Sequence, residues 1–182
     1  MQIYQIKITL RGSRPPIWRR IQVRCDITLA QLHRILQAVM GWTDSHLHRF
    51  LIRGEPYGVR DQDEIGFSRT IDERRYKLER VGPGENFRFT YTYDFGDGWE
   101  HDILVEDVLS PTEGVRYPVC LAGARACPPE DVGGIPGYEN FLEATRNPEH
   151  PEHKEYLEWI GGHFDPEAFD VSAINQQLRR LK

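Results

Sequence analysis

Apolar side chains at Tyr4, Ile6, Ile8 and Leu10 alternate with Gln5, Lys7 and Thr9, the period-2 pattern of a half-buried strand. Arg11 to Pro16 carries Gly, Ser and two prolines. Proline cannot donate to a ladder, so the chain reverses there, and Ile17 to Val23 returns as a hairpin. At Thr28 the period changes. Leu29, Leu32, Ile35, Leu36 and Val39 make one helical stripe, opened by a Thr28/Gln31 capping box and closed by Gly41. His46 to Arg53 reads as a strand again and turns at Gly54 toward Tyr57. Residues 58–74 are polar without a period and read as a surface connection. Within them, Asp61-Gln62-Asp63-Glu64-Ile65-Gly66 resembles a calcium loop. Ile65 stands at a ligand position, however, Asp72 replaces the closing glutamate, and no flanking helices are evident.

Phe87, Phe89, Tyr91, Tyr93 and Phe95 then alternate with polar residues, and Trp99 to Val105 follows as a partner strand. A Gly96-Asp97-Gly98 loop keeps one face apolar if Phe95 pairs with Trp99, Tyr93 with His101, Tyr91 with Ile103, and Phe89 with Val105. It also sets Arg88 opposite Glu106. Tyr117 to Gly137 is rich in Pro and Gly and reads as a long structured loop. Helices are expected over Tyr138 to Thr145, over His150 to Ile160, and after Asp165-Pro166-Glu167. The class is α+β: a mostly antiparallel sheet with a helical C-terminal segment. Residues 1–182 read as a single domain, with 1–110 as sheet and first helix, 111–137 as loop and 138–182 as helical tail. The hairpin–helix–strand start is compatible with a β-grasp-like core.

Composition narrows the class. With 182 residues and 39% hydrophobic content, the chain can bury a core, which excludes wholesale disorder. No apolar run approaches the ~20 residues of a membrane span, and the strand-like N-terminus does not read as a signal peptide. Three cysteines, Cys25, Cys120 and Cys127, are an odd and sparse set that points to a reducing cytoplasm. Charge is asymmetric. Residues 1–53 hold nine Lys and Arg against two Asp, a net of +7, leaving −12 for residues 54–182 and −5 for the chain. The imbalance suits an anionic partner, or a basic half docked on the chain's own acidic half.

Familiar catalytic strings are missing. There is no Gly-Lys-Ser/Thr loop, no Gly-x-Ser-x-Gly elbow and no His-Glu-x-x-His, and Gly82-Pro83-Gly84 lacks the third glycine of a dinucleotide turn. Six residues separate Cys120 from Cys127, too many for a zinc knuckle. Histidine offers more. His46 and His48, two apart on an expected strand, would project from one face, with Asp44, Asp97 or Asp131 within reach to complete a shell for a divalent transition metal. The plainer reading makes them edge-of-core histidines bonded to carboxylates, and His101, on the aromatic face, a core histidine. The basic half offers Arg11 and Arg14 in the first turn, with Arg20 and Arg24 on the same strand face as Trp18. That set could stack on a base and neutralise phosphates.

Five strings then assemble into a pattern: Pro15-Pro16-Ile17-Trp18-Arg19-Arg20; Gly41-Trp42 with His46-Leu47-His48-Arg49-Phe50; Tyr93 to His101; Cys127-Pro128-Pro129-Glu130-Asp131-Val132-Gly133-Gly134; and Gly137-Tyr138. Together they resemble the plasmid pRiA4b ORF-3-like family across nearly the whole chain. The resemblance implies a single α+β domain found on plasmids, beside insertion elements and as free-standing microbial proteins. It also implies that His46, His48, Asp94, Asp97, His101, Glu130 and Asp131 belong to shared signature strings, and it transfers no catalytic residues. Some relatives are labelled transposon resolvases. That chemistry needs an early nucleophilic serine on a parallel sheet, whereas Ser13 sits in a Pro-flanked turn.

The leading expectation is a non-catalytic binding module for a protein or small-molecule ligand, with no membrane partner. Its groove would lie between the hairpin tip and the Pro-Pro-Glu-Asp loop, using Asp94, Asp97, His101, Glu130 and Asp131, with Gly133-Gly134 allowing close backbone approach. A second expectation is a metal-dependent hydrolase, with His46 and His48 as ligands and Asp97 or Asp131 completing the shell or acting as base. A third is an accessory DNA-binding protein of a mobile element.

Overall fold

In the computed structural model, which describes residues 1–59 and 70–181, the alternating N-terminal segment is strand β1, Ile3–Leu10. Tyr4, Ile6, Ile8 and Leu10 are buried on one face, each contributing about 1.5–3 kcal/mol relative to exposure. Ser13 closes the turn: its hydroxyl donates to the Leu10 carbonyl at 2.7 Å and accepts from the Ile17 amide at 2.9 Å. Strand β2, Trp18–Arg24, returns antiparallel with Ile21 opposite Ile6. Helix α1, Leu29–Met40, has both arms of its capping box and ends at Gly41 in the left-handed region.

Strands β3, His48–Ile52, and β4, Glu55–Gly58, form a second hairpin. Strand β5, Ile71–Asp72, pairs parallel with β4 and leads into a 3-10 turn, Glu73–Arg75, and a short helix α2, Leu78–Val81. Strands β6, Arg88–Tyr93, and β7, Trp99–Leu109, supply the aromatic hairpin. Strand β8, Val119–Ala124, and helices α3, Gly134–Arg146, α4, His153–Ile160, and α5, Val171–Arg180, complete the chain. One eight-stranded sheet results, in the order β5-β4-β3-β6-β7-β1-β2-β8, antiparallel except at β4–β5. The hairpin–helix–strand start is present, with the β6–β7 hairpin set between β1 and β3. The α1 stripe joins the inward residues of β1, β2, β6 and β7 in one core, and α5 packs on α1 and β8.

Three expectations are corrected. The β6–β7 register is offset by two residues: Tyr93 pairs with Trp99, Tyr91 with His101, Phe89 with Ile103, and Arg88 with Leu104. The loop runs from Asp94 to Gly98. Asp94 adopts φ 56° and its Oδ1 accepts from the Gly96 and Asp97 amides, while Gly98 N–H donates to the Asp94 carbonyl. A two-residue shift preserves the inward face, so only Phe95 is lost from the core, 51% exposed beneath the Arg49 guanidinium. Strand β8 falls inside the segment read as loop, a short Gly/Ala-containing edge strand ordered by its pairing with β2. His46 precedes β3, so the two-residue alternation does not reach it. The acidic string resembling a calcium loop lies outside the described residues.

Part of the charge asymmetry resolves within the sheet, where Arg11 and Arg20 meet carboxylates of the acidic half. Strand β7 lies beside β1, and Arg11 reaches Glu100 at 2.7 Å and Asp102 at 2.6 Å. Arg20 meets Glu106 through two nitrogens at 2.6 and 2.8 Å, while Arg24 pairs with Asp26 at 2.8 Å. Lys7 and Arg20 flank the Trp18 ring. Arg19 alternates inward and is 3% exposed. Its guanidinium donates to the carbonyls of Trp18, Val39, Ala124 and Arg125 and to Cys127 Sγ. A buried cation is thereby saturated by backbone oxygens, one of them in the last turn of α1.

Candidate functional site

The signature strings converge where the β6–β7 tip meets the loop before α3. Two links close the junction. Asp97 Oδ2 accepts from the Gly133 amide at 3.1 Å, and Gly134, at φ +68°, brings its Cβ position within 2.4 Å of the Asp97 carbonyl oxygen. Glu130 adds a clamp, accepting from the Tyr93 hydroxyl, the Thr43 hydroxyl at 2.6 Å and the Thr43 amide at 3.2 Å. The Tyr93 hydroxyl also accepts from the Ser45 and His46 amides; burial, reinforced by Glu130, holds its pKa above the ordinary tyrosine value. The expected groove between tip and loop is therefore occupied by their mutual contact. The close approach that Gly133-Gly134 permits is to Asp97, and Asp97 and Glu130 are engaged in holding the loops together.

On that junction sits a first imidazole–carboxylate cluster. His46 Nε2 lies 3.0 Å from Asp131 Oδ1, and His46 Nδ1 lies 3.6 Å from Asp94 Oδ2. The shorter contact is not aligned for a hydrogen bond, and His46 Nε2 has no hydrogen-bond partner among the described residues. One donor atom from each of the three residues falls within 4.8 Å of the others.

His48 belongs to a second cluster. Its ring stacks on that of His33, a residue of α1, with centroids 3.4 Å apart and planes 5° from parallel. His48 Nε2 is 2.8 Å from Glu73 Oε2, and His33 Nε2 is 2.7 Å from Asp44 Oδ1. His33 Nδ1 meets the Tyr91 hydroxyl at 2.8 Å, which also accepts from Gln37 Nε2. Burial first, then the adjacent His48, holds the His33 pKa below its ordinary value. The expected His46–His48 chelate therefore does not form: each histidine pairs with different carboxylates. A cavity of about 540 Å³ opens over this cluster, lined among others by His33, Arg34, Asp44, His46, His48 and Glu73.

Sequence reasoning missed His33 and Glu73. His33 and Gln37 stand at i+4 and i+8 from Leu29, polar residues set into an apolar stripe, and that was a legible signal. Glu73 carried none. His101 is fully buried, one nitrogen meeting the Tyr91 carbonyl, and burial pushes its pKa down to about 4. It sits in the core, does not line the cavity, and is not placed to meet a ligand. Arg14 makes no ion pair among the described residues. Burial raises all three thiols above their ordinary value, which leaves them protonated at neutral pH.

Fold and site define an α+β sheet protein whose hairpin tip is clasped by a glycine loop, beside a polar cavity floored by paired histidines. The chain belongs to the plasmid pRiA4b ORF-3-like protein family, whose model matches residues 2–173. It is 42% identical over 181 residues to the uncharacterized protein y4hQ of Sinorhizobium fredii (strain NBRC 101917 / NGR234), covering 98% of this chain and 92% of that one. It also matches the crystal structure of the protein of unknown function MM3350 from Methanosarcina mazei Go1, with a TM-score of 0.83 and 39% identity over 94% of this chain and 96% of that one.

Proposed function

We propose that the protein is a binding module whose ligand, a small polar molecule bearing an anionic group, enters the cavity above His33 and His48. One observation carries this reading: buried imidazoles from two separate elements, α1 and β3, converge on the floor of an open cavity of about 540 Å³. That volume lies within the roughly 300–1,000 Å³ usual for ligand sites. The polar lining favours a hydrogen-bonding ligand over an apolar one. Arg34, exposed at the rim and without an ion pair among the described residues, supplies the cation for its anionic group. No helix among the described residues is long and apolar enough to cross a membrane, and three free thiols support a reducing, cytoplasmic setting. The family's plasmid-borne namesake is the support for a mobile-element setting. Nucleic-acid binding draws less support, since Arg11, Arg20 and Arg24 already face carboxylates.

The test is amide chemical-shift mapping of chelator-treated protein with inorganic phosphate and with succinate. Shifts confined to residues around Ala30, Ser45 and Leu47, weakened about tenfold in affinity by Arg34→Ala, are expected. Shifts that cluster elsewhere, or that ignore Arg34, overturn the assignment.

A further inference from the structure

We propose that the outward face of β3 and β6 binds a second copy of this chain, seating the acidic face of that copy's α4. Arg49 and Leu51 are the outward residues of β3, and Arg88, Thr90 and Thr92 those of β6, with Arg49 opposite Thr92 and Leu51 opposite Thr90. Continued two residues, the same register sets Arg53, in the turn after β3, beside Arg88. Three guanidiniums thus flank Leu51, and neither strand contains a carboxylate. Glu55 of β4 stands opposite Ile52, an inward residue, so it falls on the other face. Glu100 and Asp102, on neighbouring β7, are held by Arg11. Arg49, Arg53 and Arg88 make no ion pair among the described residues. Like charges set across a strand pair repel, and here no acid of the same chain offsets them.

The patch is apolar as well as basic. Leu51 is 44% and Phe95 51% exposed, with the Arg49 guanidinium 5.4 Å from the Phe95 ring. Exposed apolar side chains rimmed by arginine are the composition of a protein interface, where arginine and aromatic anchors carry the binding. A surface of opposite sign lies elsewhere on the same molecule. Residues 134–163 hold six glutamates against Arg146 and Lys154, a net of −4, and none of these eight forms an ion pair among the described residues. On α4, Glu155 stands one turn before Trp159 on the same helix face, with Glu158 next to it and Glu152 a turn further back. Trp159 is 47% exposed, its inner side set edge-on to Phe141 and Tyr156. Three acids around one exposed aromatic match three guanidiniums around Leu51 in number and in sign. No ion pair joins the two patches within one chain, so the match is available to a neighbour. Two copies related by a two-fold axis would each offer the arginine face and receive the other's α4, which neutralises both surpluses and closes without a third copy.

Sedimentation velocity on the untagged chain, between about 1 and 200 µM, reads the mass directly. At about 0.1 M salt, where charges act over ~10 Å, the average mass should rise with concentration toward that of two chains. At about 1 M, where they act over ~3 Å, it should fall back. Arg49→Glu with Arg88→Glu reverses one face and Glu155→Arg with Glu158→Arg the other. All four side chains are exposed, so both variants keep the fold, and each should weaken self-association at least about tenfold. Mixed one to one, the two variants should associate again, because both contacts of the mixed pair then join opposite charges. Trp159→Ala, which changes no charge, should weaken association too. Protein that keeps the mass of one chain at every concentration overturns the proposal and leaves the arginine face to a foreign acidic partner. So does association that ignores all three variants, or a mixture that fails to restore what its components lost. Phosphate and succinate mapping of the cavity reads a different surface and stands or falls separately.

Discussion

Replacing Gly134 by alanine tests whether loop and hairpin tip are held by close backbone approach. The new Cβ would stand 2.4 Å from the Asp97 carbonyl oxygen, where real contacts stay above 3.0 Å, so backbone must part from backbone by about 0.6 Å. The left-handed φ of +68° costs a non-glycine residue about 1–2 kcal/mol. The parting also weakens the Gly133 amide to Asp97 carboxylate bond, at 3.1 Å and exposed, which removes up to roughly 1 kcal/mol more. The total is about 1–3 kcal/mol, or a fall in Tm of roughly 2–12 °C for a chain of this size. Differential scanning calorimetry measures it. Gly98→Ala is the control, because it shares φ +68° in the same hairpin tip but has nothing within 4 Å of its Cβ position. It should lose only the backbone share. Equal losses at the two positions would refute the close-approach reasoning.

Two further outcomes follow from the sheet. Arg19→Met should destabilise by at least about 3 kcal/mol in urea, because the carbonyls of Val39, Ala124 and Arg125 lose a buried donor; a loss below 1 kcal/mol would contradict the role given to that guanidinium. The hydrogen bond from Arg20 holds the Glu106 pKa below its ordinary value of 4.5. A lowered folded-state pKa gives stability that is present above the unfolded pKa and lost as pH falls through the folded one. Arg20→Ala should therefore cost about 1 kcal/mol at pH 7 and progressively less as the pH is lowered below 4.5, and a cost that does not change with pH in urea melts would show the contribution is not electrostatic.

Much of the architecture was legible because its signals are local. The Tyr4–Leu10 alternation, the Thr28/Gln31 box and the aromatic stripe of β6 each fall within one element, and each element formed as its period required. The hairpin register was not legible in full. Burial constrains only parity, so shifts of zero and two residues satisfy the same apolar face. The choice was made by Asp94 turning left-handed and capping its own loop. Strand β8 was invisible because its six residues carry almost no pattern; an edge strand of this kind is decided by the neighbour it pairs with.

The site divides in the same way. By itself the sequence determined which residue types were present for chemistry, and the family resemblance set His46, Asp94 and Asp131 among seven signature residues, of which these three meet in space. Two-residue spacing could not say that His48 would leave His46 for Glu73, 25 residues further along, or that α1 would bring His33 into contact with its ring. Periodicity is a property of neighbouring residues, enforced by backbone geometry and burial along a single element. Which carboxylate an imidazole meets is set where separate elements pack together, by desolvation and Coulombic attraction, and only the tertiary structure decides that.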